Sequence, residues 1–196
     1  MCNLYSQTAS ADGIRQFTKA LGIELSFPEG APNLEPKDIA ISDLAPVLRG
    51  GQPGRYELVI RRWSWPGSRG KPVYNFRSDG REFATGRCVI LTTGFYEFTQ
   101  PEDAKQKRKN RWLFTTPGEP LLGIAGLIRE VAGIGEAFTM LTTVPGADVA
   151  PIHHRQVAVL PSSAWRSWLD YSRSAGELIR PLPQGSLSIY AANHVD

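Results

Sequence analysis

The chain of 196 residues carries 22 basic and 19 acidic side chains, a formal net charge of +3, and is 41% hydrophobic and 21% charged. These are the proportions of a single globular domain, expected to span residues 1–196. No apolar run is long enough for a membrane span, the first twenty residues lack a basic-then-apolar signal pattern, and the two cysteines lack both a disulfide framework and a CxxC metal spacing. The expected setting is a reducing cytoplasm, with no membrane partner, metal or cofactor.

Cys2 opens the chain-order reading. Trimming of Met1 ahead of so small a side chain is expected, and it leaves Cys2 with a free α-amine beside its thiol. Such an amine has a pKa of about 7.7–8.0, so part of it is nucleophilic near neutral pH. Toward an aldehyde it can form an imine, which the thiol then closes to a five-membered thiazolidine. The bland alternative is a frayed terminus in which the cysteine is incidental.

Ser10 to Leu21 reads as a helix with Ser10 or Asp12 as cap and Ile14, Phe17 and Leu21 on one face. Pro28-Glu29-Gly30-Ala31-Pro32 breaks that pattern into loop. Strand-like segments follow at Asp38–Val47, Tyr56–Trp63, Val89–Thr93, Trp112–Thr115, Leu121–Ile128 and Ala137–Thr143. Pro161 to Tyr171 reads as a helix with Trp165, Trp168 and Leu169 inward, and Ser188 to Ala192 as a last strand. The fold expected is α+β, with mainly antiparallel sheets curled into a barrel-like core and a few flanking helices.

Charge is unevenly spread. Between Arg49 and Arg87 stand nine basic and three acidic residues, interleaved with Trp63, Trp65, Tyr74 and Phe76. Cations alternating with aromatic rings suit a single nucleic-acid strand, through phosphate neutralisation and base stacking, though a solvated face over buried rings fits equally. The basic run from Lys105 to Arg111 reads as a solvated hairpin loop. Three segments look chemical. In Tyr74-Asn75-Phe76-Arg77-Ser78-Asp79, extended backbone puts Asn75 and Arg77 on one side. In Cys88 through Phe98, Glu97 is a lone carboxylate among apolar residues, either exposed or held in a pocket with a raised pKa, while Cys88 reads as core. In Ile152-His153-His154-Arg155, adjacent side chains point apart, which disfavours a metal pair.

Met1-Cys2-Asn3, Asn75-Phe76-Arg77-Ser78-Asp79, Arg87-Cys88 through Gly94-Phe95-Tyr96-Glu97-Phe98, Ala125-Gly126-Leu127 and Ile152-His153-His154-Arg155 stand in an order that resembles the SOS response-associated peptidase family. Asn33-Leu34-Glu35-Pro36 and Arg62-Trp63 are weaker marks of the same likeness, which runs to about residue 170. The chain departs from the family pattern at Asn3, Phe98 and Gln156-Val157, and the stretch from Asp79 to Arg87 looks short enough to lack a helix.

The resemblance implies detection of abasic sites in single-stranded DNA, as part of the DNA-damage response, by a thiazolidine crosslink from Cys2 to the ring-opened sugar aldehyde. It implies catalytic roles for Cys2 as nucleophile, Asn75 in positioning, Glu97 as general acid/base and His153 in ring opening or crosslink reversal. It gives Arg77 and Arg155 to phosphates, Arg62 to DNA contact, and Trp63, Trp65 and Pro36 to wedges or platforms beside the lesion. Abasic-site lyase and self-processing peptidase activities are implied side reactions, in a cytoplasmic monomer associated with the nucleoid through DNA. Two other readings stay open: an N-terminal nucleophile cysteine amidohydrolase or peptidase, and a non-catalytic single-strand-binding module.

Overall fold

The run Arg87–Thr92 is buried at every position, the mark of a strand covered on both faces. A computed structural model describes residues 2–50, 54–68, 70–103 and 105–192; Met1 and Arg69 lie outside them. In chain order the elements are β1 (Leu4–Gln7), α1 (Ala11–Ala20), β2 (Leu25–Ser26), β3 (Lys37–Ala40), β4 (Leu44–Gly50), β5 (Tyr56–Trp63), β6 (Trp65–Pro66), β7 (Pro72–Val73) and β8 (Asn75–Arg77). There follow β9 (Arg87–Thr92), β10 (Gly94–Thr99), β11 (Asn110–Thr115), β12 (Leu122–Val131), β13 (Gly135–Thr143), β14 (Gln156–Val157) and β15 (Val159–Leu160). A 3-10 turn at Ser162–Ala164 leads into α2 (Trp165–Leu169), and α3 (Ala175–Leu178) and β16 (Ser188–Ala191) complete the series. Among the described residues no helix is long and apolar enough to cross a membrane.

Five strands close into a ring. β4 pairs with β5 and β9, β9 with β12, and β12 with β13, all antiparallel; β13 then meets β5 in parallel through Ala137–Arg62 and Phe138–Trp63. A second, wholly antiparallel sheet has the order β16-β11-β10-β1-β3. The fold is thus α+β with a barrel-like core, as the sequence leads one to expect.

Alternation along the ring strands sorts the core into two layers. Val47, Val59, Ile90, Ile124 and Met140 face Cys2, Tyr5, Phe95 and Phe114 from the second sheet's side of the molecule. Leu48, Leu58, Val89, Ala125 and Leu141 face the other way, under Ile14 of α1, Trp165 and Trp168 of α2, and Leu178 of α3. The α1 helix begins where the sequence places it, with the Ser10 hydroxyl accepting from the Gly13 amide at 3.1 Å.

Two expectations change in detail. Asp38–Val47 is two strands, because Ser42 adopts φ 80° and the Asp43 carboxylate accepts from the Ala40 amide at 2.9 Å, turning the chain between sheets. The strand expected at Val89–Thr93 is β9, and the chain turns at Thr93 into β10 of the second sheet, a strand the sequence does not single out. The helix expected over 161–171 shortens to the 3-10 turn and α2, ending before Tyr171 at φ 60°.

Packing is close where α2 lies over β12. A Cβ built on Gly123 would lie 2.4 Å from the buried Trp165 indole, so only glycine lets that ring lie flat on the strand. Gly123→Ala is expected to destabilise the fold by about 2 kcal/mol through overpacking, seen as a lower denaturation midpoint with an unchanged denaturant slope.

Candidate active site

The second residue has no exposed surface at all. Its strand, β1, lies between β10 and β3, with Tyr5 opposite both Phe95 and Ile39. Continuing that antiparallel register backward from Leu4 brings the start of the chain alongside Glu97. There the Cys2 main-chain N–H donates a hydrogen bond to the Glu97 carboxylate. On its other side Cys2 is held through its carbonyl oxygen, which accepts from Asn75 Nδ2 at 2.7 Å. The thiol donates to the Leu4 carbonyl at 3.2 Å.

Asn75 reaches Cys2 because β8 lies parallel to β13, with Asn75 opposite Met140 and Arg77 opposite Thr142. Its Oδ1 is buried and has no hydrogen-bond partner among the described residues, so an acceptor is left over beside Cys2. Glu97 is 2% exposed and sits opposite Trp112 in the β10–β11 pair. The sequence leaves it between an exposed position and a pocket; the structure buries it.

Burial shapes the acidities. Glu97 is pushed up to about 7, by desolvation first and against the opposing pull of the amino-terminal charge and the Cys2 hydrogen bond. The Cys2 thiol is pushed up to about 12, by desolvation first and then by the Glu97 charge. At neutral pH the sulfur therefore keeps its proton while the carboxyl is divided between its two forms. His153 is moved down, by desolvation first; the amino-terminal charge contributes in the same direction, and a hydrogen bond with the Arg155 main chain opposes both. Its Nδ1 lies 3.0 Å from the Arg155 amide and 2.8 Å from the Arg155 carbonyl, and its ring stacks on exposed His154 with centroids 4.5 Å apart.

The residues read as nucleic-acid contacts divide. Arg77 and Pro36 are exposed and Arg62 is partly so, positions open to a ligand. Trp63 and Trp65 are 0% and 6% exposed, and this overturns the reading of either as a stacking platform. Trp63 donates from Nε1 to the Tyr74 carbonyl and sits edge-on to Tyr5 and Tyr74, while Arg129 covers the Trp65 ring at 4.1 Å. Arg155 also departs from the expectation of a phosphate contact. It is buried, and its guanidinium spans Asp79 at 3.1 and 2.7 Å and Thr142 O and Oγ1 at 2.9 and 3.1 Å.

Asp79 is the residue that sequence reasoning passed over. It stands inside the quoted motif, and the signal available was a lone acid two positions after Arg77 in a basic segment. Cys88 is buried as expected, its thiol pushed up by desolvation. From Lys105 to Lys109 the basic run caps the β10–β11 hairpin with exposed side chains, as expected, whereas Arg111 belongs to β11, half-buried against Asp38 and the Ala192 carbonyl; Ala104 in that loop lies outside the described residues. Among the described residues no three His, Cys, Asp or Glu side chains cluster as a metal site requires.

The family model described as SOS response associated peptidase (SRAP) matches residues 1–195. The abasic site processing protein HMCES of Gallus gallus is 32% identical over 123 residues, covering 48% of this chain and 35% of that protein; the match thus spans about a third of the relative's length. A crystal structure of a protein from Bacteroides thetaiotaomicron superposes with a TM-score of 0.77 at 18% identity, covering 98% of this chain and 92% of that one. A phage-related protein from Bordetella bronchiseptica gives 0.73 at 20% identity, with 98% and 95% covered. A second B. bronchiseptica protein gives 0.72 at 21% identity, with 98% and 100% covered. At such identities the likeness is one of fold.

Proposed function

The chain belongs to the SOS response associated peptidase family, and on that premise we propose that it processes abasic sites in single-stranded DNA by joining Cys2 to the ring-opened deoxyribose as a thiazolidine. The observation that carries this reading is the anchoring of Cys2. A terminus that merely frays would be exposed, whereas Cys2 is fully buried, with its main chain held by Glu97 on one side and Asn75 on the other. The relative named as an abasic site processing protein supports the substrate class.

In the chain freed of Met1, the Cys2 nitrogen that donates to Glu97 is the α-amine. His153, kept neutral by its lowered pKa, takes the proton of the anomeric hydroxyl and passes it to the ring oxygen, opening the sugar to its aldehyde. Glu97 as carboxylate accepts a proton from the ammonium, and the amine adds to the aldehyde carbon. The same carboxyl then protonates the hydroxyl, which leaves as water, and the imine results. The Cys2 sulfur adds to the imine carbon, and its proton ends on the nitrogen; one water is lost overall and no oxidant is needed. Asn75 holds the Cys2 carbonyl throughout, and its spare Oδ1 is an acceptor for a substrate hydroxyl. An imine next to a β-phosphate also permits β-elimination, so a lyase reaction competes until the ring closes. Arg77 and Arg62 meet the flanking phosphates.

Intact mass spectrometry tests the proposal in one sample. The purified protein is expected to lack its initiator methionine and, with an abasic single-stranded oligonucleotide, to gain the mass of that strand less one water. Retained methionine, or an unchanged mass after incubation, refutes it.

A further inference from the structure

Residue 155 holds the imidazole of His153 by its main chain alone. With Nδ1 unprotonated the Arg155 amide donates to it; with Nδ1 protonated the ring donates to the Arg155 carbonyl. Ring orientation in either state therefore follows the backbone of residue 155. That backbone is fixed by its own side chain, which is 7% exposed and makes two parallel hydrogen bonds to Asp79 and two more to Thr142. The Asp79 carboxyl is moved down from its ordinary value, by the Arg155 hydrogen bond first.

The opposite end of this arrangement is the strand that carries Asn75. The Thr142 carbonyl accepts not only from Arg155 but from the Ser78 amide at 3.0 Å and the Ser78 hydroxyl at 2.9 Å. Asp79 follows directly, and β8 runs back from there in register with β13 to Asn75 opposite Met140. One carbonyl thus ties the turn after β8 to the loop after Val149, and Asp79 closes the tie across 76 positions of sequence.

We propose that Asp79 is a positioning residue: through its bidentate pair with Arg155 it sets the His153 imidazole and the Asn75 amide in mutual register around Cys2. Arg155 is then an internal strut and not a contact to DNA. This rests on the proposed abasic-site reaction only for its kinetic readout; the structural readout stands without it.

The test compares Asp79→Ala, Asp79→Glu and Arg155→Lys with the wild-type chain. Titration of the His153 ring by NMR reads position directly. In Asp79→Ala the ring leaves its partly buried seat, so its midpoint should move upward toward the ordinary value of about 6.5. Adduct formation with abasic single-stranded DNA should slow at least about tenfold, since misplacing a reacting group by an ångström costs rate of that order or more. Asp79→Glu, which keeps the charge and both oxygens, should recover most of both; Arg155→Lys, which keeps the charge and loses the planar fork, should not. The salt dependence of binding to intact strands separates strut from phosphate contact. Arg77→Ala should lower the slope of log K against log salt by about 0.7, and Arg155→Lys and Asp79→Ala should leave it unchanged. An unmoved His153 midpoint in folded Asp79→Ala overturns the proposal, as does full recovery by Arg155→Lys. If the alanine variant does not fold, Arg155→Lys and Asp79→Glu decide it by the same titration. If wild-type protein forms no adduct, the abasic-site reading falls while the titration still judges the clasp.

Discussion

Glu97→Gln is expected to make the protein more stable at pH 8 and to slow adduct formation at least about 100-fold, the lower end of what a positioned general acid/base contributes. Both effects come from the same burial. The folded carboxyl holds its proton to about pH 7, whereas an unfolded glutamate releases it at about 4.3. Its contribution to stability is therefore complete below pH 4 and is lost as pH rises through 7. At pH 8 the folded state carries a buried anion at a cost on the order of 3–4 kcal/mol. Glutamine fills the same space without that charge, so the variant's melting temperature should stay level between pH 5 and pH 8 while that of the wild type falls. Equal pH slopes, or an unimpaired rate, contradict the role given to Glu97.

Cys2→Ser should abolish the heat-stable adduct and leave a labile imine that borohydride traps. The substitution is mild for the fold, since a hydroxyl can donate to the Leu4 carbonyl as the thiol does now. It is severe for the chemistry, because oxygen closes a far less durable ring than sulfur. A second signature separates this site from an ordinary reactive cysteine. With the thiol pushed up to about 12, thiolate does not accumulate between pH 7 and pH 9, and ring closure should gain nothing from that rise, unlike a free thiol at about 8.5. A serine adduct that survives heating as well as the wild type's rules out sulfur as the closing atom.

Where local pattern decides structure, the sequence was readable. Ser10 to Leu21 carries its own cap and apolar face, and the ring strands carry long apolar runs. Fold class followed from these, and so did the places of the longer strands. What escaped depends on partners distant in sequence. Leu4–Gln7 is too short to announce itself and is a strand only because β10 and β3 flank it. Glu97 is buried because Trp112 and Cys2 arrive from other parts of the chain. The tryptophans among the arginines looked the same whether stacked on bases or packed inside, and Tyr5 and Tyr74 decide it for Trp63. Arg155 went to phosphate by motif position, because nothing local to it points to Asp79. At position 156, where the family pattern differs, Gln156 is buried and accepts from the Gly146 amide at 2.9 Å, so this departure serves the loop behind His153.

The ring of strands is fastened unevenly. Seven residue pairs join β4 to β5 and six join β12 to β13, but only two join β13 to β5. One of these two holds Trp63, whose indole leans on Tyr5 three positions from Cys2. Warming strains a clasped hoop first at its narrowest join. Heat inactivation should therefore set in ahead of bulk melting, with the helices still docked on the far side when the cysteine's seat has already come loose.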